Sequence, residues 1–278
     1  MQEGVAANGN GAIADGRIQT AGLILLFRKS DRPDRAAIRA VLSGVANAFV
    51  SFDPGDSQSS ERTNWSSEHD GFAFGEANAW MELLVDGLTF DLVGLAPGPQ
   101  VSGPPVEFRI DCSPDFELTD YEAIGLAPGP HLTGAGNSLV VAKVMAGLAC
   151  RLAEGLGKVQ GFYWLPSRSV TGPTFFISTV NAWIDGGPFP AIGLSAFRPD
   201  ESGGLRSVGL SFFTGQEVLL SPQLASDPAS ATRLTMRLVH QLALHGTLED
   251  QEIITGPDGR KLELSPDEGG KLVRVRSI

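Results

Sequence analysis

The sequence predicts an α+β protein made of two halves. Three observations lead to this class: a hydrophobic content of 42% supplies a core, 34 glycines and 18 prolines lie mostly in short clusters between apolar runs, and two long segments carry apolar residues at helical spacing. The glycine and proline clusters are typical of turns between strands.

The first half begins after residues 1–20, which are rich in Gly, Ala and Asn and are predicted to form a disordered tail. An apolar run at residues 22–27 predicts a strand. A helix is predicted over residues 33–49, because apolar residues recur there every three or four positions, at Ile38, Val41, Leu42, Val45 and Phe49. The polar residues 53–71 that follow are predicted to form a mobile loop.

A β-hairpin is the next predicted element, with strands at residues 80–85 and 88–95 joined by Asp86-Gly87. A helix follows at residues 137–155 and a strand at residues 159–164. The order β, α, β, β, α, β predicts a ferredoxin-like arrangement for residues 21–165, with residues 96–136 as an insertion.

The second half, residues 166–278, is predicted to form antiparallel strands and one helix. Strands are expected at residues 174–184, 191–197 and 205–213, and again at residues 251–255, 261–264 and 271–276. The helix is predicted to start at Asp227-Pro228, to run to His245 and to end at Gly246. Because the connection between the halves is short, we expect them to share one compact unit.

The charge of the chain argues against several classes of partner. A net charge of -11 repels phosphate backbones, so nucleic acid is not expected to bind. No run approaches the ~18 apolar residues that cross a bilayer, and the start lacks the basic and apolar regions of a signal peptide. We therefore expect a soluble cytoplasmic protein, with its two cysteines, Cys112 and Cys150, reduced and packed as small apolar residues.

Residues for catalysis or metal binding are few. Among the four histidines, His240 and His245 are separated by about 140° around a helix and cannot share a metal ion. His245 is expected to face the core and His240 the polar side. No metal and no cofactor is predicted. A serine nucleophile motif is missing, whereas a pair of converging carboxylates stays open.

Small residues before the second long helix suggest one binding site. His131, Gly134, Gly136 and Asn137 precede that helix, where free backbone N–H groups can hold a phosphate or a carboxylate. The alternative is a flexible entry to the helix, with Asn137 or Ser138 as its cap.

Aromatic residues around a glycine- and proline-rich turn suggest a second site. Trp183 precedes this turn, and Phe189 lies between two prolines within it. Phe189 either packs onto the sheet or contacts a partner. A further feature is the sequence Gly-Leu-Ala-Pro-Gly-Pro, which occurs at residues 94–99 and again at 125–130. It predicts two strand ends that leave the sheet in the same way or, alternatively, two loops that frame a pocket.

The second half contains, in order, Trp183, Gly209-Leu210, Phe212-Phe213, Gln216-Glu217 and Gly256-Pro257-Asp258-Gly259. With these motifs it resembles the bacterial domain-of-unknown-function family catalogued under four-two-six-one. The resemblance covers roughly residues 175–265 and extends more weakly over the first half. It implies no established activity, so no residue receives a role from it.

Two functions are therefore expected from the sequence. The first is a non-enzymatic protein-binding or accessory module, with another protein as partner and an oligomeric state that the sequence leaves open. The second is a small-ligand (anion) binding protein or an enzyme that uses the loop before the helix at residues 137–155. The first is favoured, because no His, Cys or Ser residue has a catalytic neighbour in the sequence.

Overall fold

The computed structural model of the protein describes residues 22–55, 80–132 and 134–278. These residues form two mixed, mostly antiparallel sheets of eight and six strands, together with seven helices. The predicted α+β class is thus confirmed. The predicted tail and most of the loop predicted at residues 53–71 lie outside the described residues.

The first sheet contains eight strands: β1 (Leu23–Arg28), β2 (Ala48–Phe52), β3 (Trp80–Val85), β4 (Leu88–Val93), β5 (Phe108–Ile110), β6 (Tyr121–Pro128), β7 (Val159–Trp164) and β8 (Ser169–Thr171). Their order is β2-β3-β4-β6-β1-β7-β8-β5. Neighbouring strands are antiparallel, except β5 and β8, which are parallel. The β3–β4 hairpin and β7 confirm the predicted elements.

The ferredoxin-like order needs correction, because it would place β1 beside β4. Strand β6 lies between them, and its Leu126 is paired with Leu23 on one side and Leu92 on the other. This strand belongs to the segment predicted as an insertion. Its central residues are buried on both faces of the sheet, which explains why it occupies a central position rather than an edge.

The seven helices are α1 (Arg35–Leu42), α2 (Leu139–Leu156), α3 (Pro173–Ile184), α4 (Ala191–Leu194), α5 (Ser211–Thr214), α6 (Pro222–Ala225) and α7 (Pro228–His245). Helix α1 is shorter than the predicted 33–49, because Gly44 and Asn47, with a φ of 57°, turn the chain into β2. Helices α2 and α7 match their predictions within two residues. Among the described residues, no helix combines the length and apolar character needed to cross a membrane.

The second sheet contains six strands: β9 (Ala196–Pro199), β10 (Leu205–Val208), β11 (Glu217–Leu220), β12 (Glu252–Thr255), β13 (Lys261–Pro266) and β14 (Leu272–Ser277). Their order is β12-β13-β14-β11-β10-β9, with β11 parallel to β14. The predictions for β12, β13 and β14 are confirmed. Strand β11 was not predicted.

Three predictions in the second half are wrong in part or in full. Residues 174–184 form helix α3, not a strand, since Pro173 starts a helix whose buried residues are Phe176, Val180 and Trp183. The strand predicted at residues 205–213 ends at Val208, and Gly209, with a φ of 94°, turns the chain into α5. Residues 191–197 divide into α4 and the start of β9. The half predicted with one helix therefore contains five.

One continuous cluster of buried apolar residues includes both halves. On the helix-covered face of the first sheet, Phe162 stacks on Phe176 of α3, with ring centroids 4.1 Å apart. Trp164 of the same strand contacts Phe212 and Phe213 of α5 at 5.4 and 6.2 Å. The opposite face, called the outer face below, carries a smaller cluster that includes Val101 and Phe116 of the insertion.

Candidate functional site

The loop before α2 carries four of the residues that the sequence singles out. His131, Gly134 and Asn137 are exposed, and Gly136 is half-buried. Ser138 is the N-cap of α2, because its hydroxyl oxygen accepts the N–H of Val141 at 3.2 Å. One of the free N–H groups that would bind an anion is thus already occupied.

Trp183 and Phe189 are both buried, with 4% and 3% of their surfaces exposed. Their rings meet edge to face at 5.5 Å, and Phe189 makes a second such contact with Phe213 at 5.2 Å. His240 accepts the backbone N–H of Phe189 on its Nδ1 at 3.0 Å. The packed position of Phe189 is therefore the one that the structure describes.

Histidine positions differ from the prediction in one respect. His245 is exposed and not directed to the core, because it ends α7 beside the exposed Leu244; its ring Nδ1 lies 2.8 Å from the carbonyl oxygen of Gln241. His240 is half-buried. Over residues 22–55, 80–132 and 134–278, no group of three or more His, Cys, Asp or Glu is arranged to hold a metal ion.

The two Gly-Leu-Ala-Pro-Gly-Pro segments do not leave the sheet in the same way. The second remains in β6 as far as Pro128, whereas the first forms a loop whose carbonyl oxygens at Gly94 and Gly98 accept hydrogen bonds from Arg32. Beyond this loop lies a cavity of about 310 Å³ under the insertion. Its lining is mostly apolar and comprises Ile24, Leu26, Gln100, Val101, Ser102, Gly103, Leu118, Thr119, Tyr121, Ala123 and Tyr163.

A buried carboxylate lies farther along the same outer face, and the sequence did not single it out. In β4, Phe90 and Leu92 pack in the helix-side core, so Thr89 and Asp91 point to the outer face. Asp91 is 2% exposed and is paired across the sheet with Glu82 of β3. Among the residues that the structure describes, the buried Asp91 Oδ1 and Thr89 Oγ1 have no hydrogen-bond partner.

The surroundings of Asp91 change its acidity strongly. Burial raises the pKa of Asp91 to about 7, the indole of Trp80 lowers it through a hydrogen bond, and the charge of Glu82 raises it. Near neutral pH the Asp91 carboxyl group is therefore divided between its protonated and its charged form. Each change of one pKa unit corresponds to about 1.4 kcal/mol between the two forms.

The neighbours of Asp91 complete a polar and aromatic site. Glu82 is half-buried, and its Oε1 accepts the hydroxyl of Ser51 at 2.6 Å. The rings of Trp80 and Phe52 lie 5.3 Å apart. We call this group, namely Ser51, Phe52, Trp80, Glu82, Thr89 and Asp91, the carboxylate site. It offers two carboxylates, the Thr89 hydroxyl oxygen, which no described residue hydrogen-bonds, and two aromatic rings. This combination favours a positively charged group.

The residues that carry the family resemblance lie elsewhere and form internal hydrogen bonds. Oε1 of the buried Glu217 accepts the N–H groups of Gly209 and Ser211 at 2.8 and 3.0 Å, and its Oε2 accepts the hydroxyl of Ser207. These bonds hold the turn between β10 and α5 against β11. Gly209-Leu210 and Gln216-Glu217 therefore have a structural role in this chain.

Comparison with known proteins adds no relative to this picture. No family model, no curated protein and no solved structure matches the chain.

Proposed function

We propose that the protein is a non-enzymatic binding module of the cytoplasm, whose carboxylate site takes a lysine or arginine side chain of a partner protein. The observation that carries the proposal is the buried carboxyl group of Asp91, which lies opposite Glu82 and whose Oδ1 receives no hydrogen bond from any described residue. Membership of the chain in the bacterial family that its second half resembles stays a separate prediction.

Burial of Asp91 disfavours its charged form. Its raised pKa means that the charged form is unfavourable in the free protein. A cation placed within about 4–6 Å of the carboxylate would favour that charged form again. Binding of a basic side chain is therefore coupled to loss of the Asp91 proton, and it becomes tighter as the pH rises through about 7.

The other residues of the site fit the same ligand. Thr89 offers an oxygen, unpaired within the described part of the chain, to an ammonium or guanidinium N–H. The faces of Trp80 and Phe52 attract a cation, and they also cover the apolar stem of a long basic side chain. Glu82 and Trp80 are half-buried, so an incoming chain meets them before it reaches Asp91.

A second candidate is the anion site or enzyme at the N-terminus of α2. His131, Gly134, Gly136 and Asn137 remain its predicted residues. It receives less support, because the cap by Ser138 already uses the N–H of Val141. The partner-binding role predicted for Trp183 and Phe189 would require both buried rings to become exposed.

The test is a titration followed by NMR through the indole N–H signal of Trp80. The probes are the peptides acetyl-Gly-Lys-Gly-amide and acetyl-Gly-Arg-Gly-amide, with acetyl-Gly-Gln-Gly-amide as the neutral control. We expect the basic peptides to shift the Trp80 signal at pH 8, to do so less at pH 5.5, and to lose the effect in Asp91→Asn. Asp115→Asn, which changes an exposed carboxylate, should bind like the wild type.

Two results would contradict the proposal. One is equal binding of the basic and the neutral peptides. The other is unchanged binding by Asp91→Asn in a protein that remains folded. An effect of inorganic phosphate on the signals of residues 134–138, without any effect of the peptides, would favour the second candidate instead.

A further inference from the structure

The strands at the four edges of the two sheets differ in how well they resist additional pairing. Strand β2 has a register irregularity between Val50 and Phe52, β5 is three residues long, and β9 ends with Arg198 and Pro199. Irregular pairing, short length, charge and proline all oppose the addition of another strand. Strand β12 has a regular register with β13 and contains no proline.

The backbone of β12 presents unused hydrogen-bonding groups along its outer side. The N–H of Gly256 donates to the carbonyl of Arg260 in the turn to β13, at 2.8 Å. The backbone N–H and C=O groups of an antiparallel strand alternate in direction from residue to residue. Those of Glu252 and Ile254 therefore also point to β13, and those of Ile253 and Thr255 point away from it. No strand in the described part of the chain pairs with this outer side.

We propose that a second copy of this chain pairs with β12 in antiparallel orientation. A two-fold axis through Ile253 would pair Ile253 with Ile253 of the second copy, and Thr255 with Gln251 of the second copy. This register preserves the two faces of the sheet, since paired residues in adjacent strands share a face. It also uses the outward N–H and C=O groups of Ile253 and Thr255 in both copies.

The side chains around β12 favour a second copy as the occupant. Ile253 is 58% exposed and would be covered by its own equivalent. The exposed acids Glu249 and Asp250 precede the strand. Two basic residues follow its turn, namely Arg260, which is ion-paired with Asp258, and Lys261. Lys261 donates to Thr255 at 2.9 Å, so its charge lies at the end of β12.

Antiparallel pairing makes this charge distribution complementary to itself. The acidic start of β12 in one copy lies beside the basic end in the other, at both ends of the pair. Such an interface is closed, because each copy has one outer side of β12 and uses it once. A dimer is therefore expected, and not a growing chain.

The experiment is sedimentation velocity over a range of protein concentrations. The wild type should form a reversible dimer. Ile253→Lys places like charges opposite each other, and Thr255→Pro removes an N–H that is not used for pairing with β13. Both variants should weaken dimerisation at least tenfold. Leu244→Lys, a similarly exposed position on α7 (55%), should leave it unchanged.

Circular dichroism and melting curves establish that each variant is folded before its association is compared. A wild type that remains a monomer at about 1 mM would overturn the proposal. So would a dimer that folded Ile253→Lys and Thr255→Pro leave unaffected. The outcome is independent of the carboxylate site, since Asp91→Asn should dimerise like the wild type.

Discussion

Gln216 binds both backbone polar groups of Leu248: its Oε1 accepts the Leu248 N–H at 2.8 Å, and its Nε2 donates to the Leu248 carbonyl at 3.0 Å. The amide is almost fully buried and connects the residue before β11 to the chain that leaves α7. Two backbone groups that α7 and the sheet leave unpaired are thereby satisfied. The Gln216 side chain thus holds the entry to β12 in place.

Replacement of Gln216 should therefore destabilise the fold. Gln216→Ala leaves two buried backbone groups unpaired, and we expect it to lower the free energy of unfolding by about 2–4 kcal/mol. Gln216→Glu should also destabilise, since a carboxylate oxygen would face the Leu248 carbonyl. Urea denaturation measures both. Gln223→Ala on α6, an exposed position, is the control, and an equally small effect of all three changes would contradict this reading.

The pKa of Asp91 makes stability depend on pH. Its pKa is about 7 in the folded protein, against 3.8 as the ordinary value, so the folded state holds the proton more tightly than the unfolded state. The stabilisation that comes from this tighter proton binding is fully present below pH 3.8 and is lost as the pH rises through about 7. Its complete loss lowers the free energy of unfolding by at most about 4 kcal/mol.

Asp91→Asn removes this dependence, because the amide resembles the protonated acid. We expect the variant to be more stable than the wild type at pH 8, with the difference shrinking toward pH 4. Denaturation curves at several pH values between 4 and 8 test this, with Asp115→Asn as the control. A variant that is less stable than the wild type at pH 8 would show that the charged form is favoured.

Local sequence signals allowed part of the fold to be predicted. Asp86 and Gly87 adopt φ values of 48° and 83°, the left-handed pair that an Asp-Gly hairpin turn requires. Asp227 caps α7 through the N–H of Ser230, as the Asp-Pro start indicates. These features depend on a few neighbouring residues, so the sequence alone reveals them.

Tertiary context decided the elements that were mispredicted. The residues of α3 form an apolar run rich in Phe, Ile, Val and Thr, which favours strands, but the helix is stabilised by contacts such as that between Phe176 and Phe162. Strand β6 could not be placed because its two neighbours come from distant parts of the chain.

The carboxylate site left one signal in the sequence. Asp91 interrupts an apolar strand in which its neighbours Phe90 and Leu92 are both core residues. An acid within such a strand indicates an unusual environment, although the partner Glu82 becomes evident only from the register of β3 and β4.

Trp183 and Phe189 provide a further prediction. The sequence predicts Trp183 within a strand and Phe189 in a turn, which would make Trp183→Ala the more destabilising change. In the structure, both rings are buried and contact each other. We expect each alanine variant to cost about 3–5 kcal/mol. The double variant should cost less than the sum by about 0.5–1.5 kcal/mol, because the ring contact is lost only once. Phe49→Ala, at an exposed position, is the control for this thermodynamic cycle. If the changes in the free energy of unfolding of the two single variants simply add up in the double variant, the rings do not stabilise each other by direct contact.

Contacts between Trp164 and the two phenylalanines of α5 connect the two sheets. Trp164 belongs to the first sheet, while Phe212 and Phe213 follow β10 of the second sheet. Because the half-buried Phe212 and Phe213 pack against the buried cluster that contains Trp164, exposure of either half also exposes the aromatic surface of the other.

Calorimetry should accordingly show one transition, with the van't Hoff and calorimetric enthalpies equal. Phe213→Ala removes contacts to Trp164, Phe189 and Phe212 at once, and it should lower the melting temperature while separating the transition into two or broadening it. Leu244→Ala on the exposed side of α7 should leave the shape of the transition unchanged. Two well-separated transitions in the wild type would mean that the shared cluster does not couple the unfolding of the two halves.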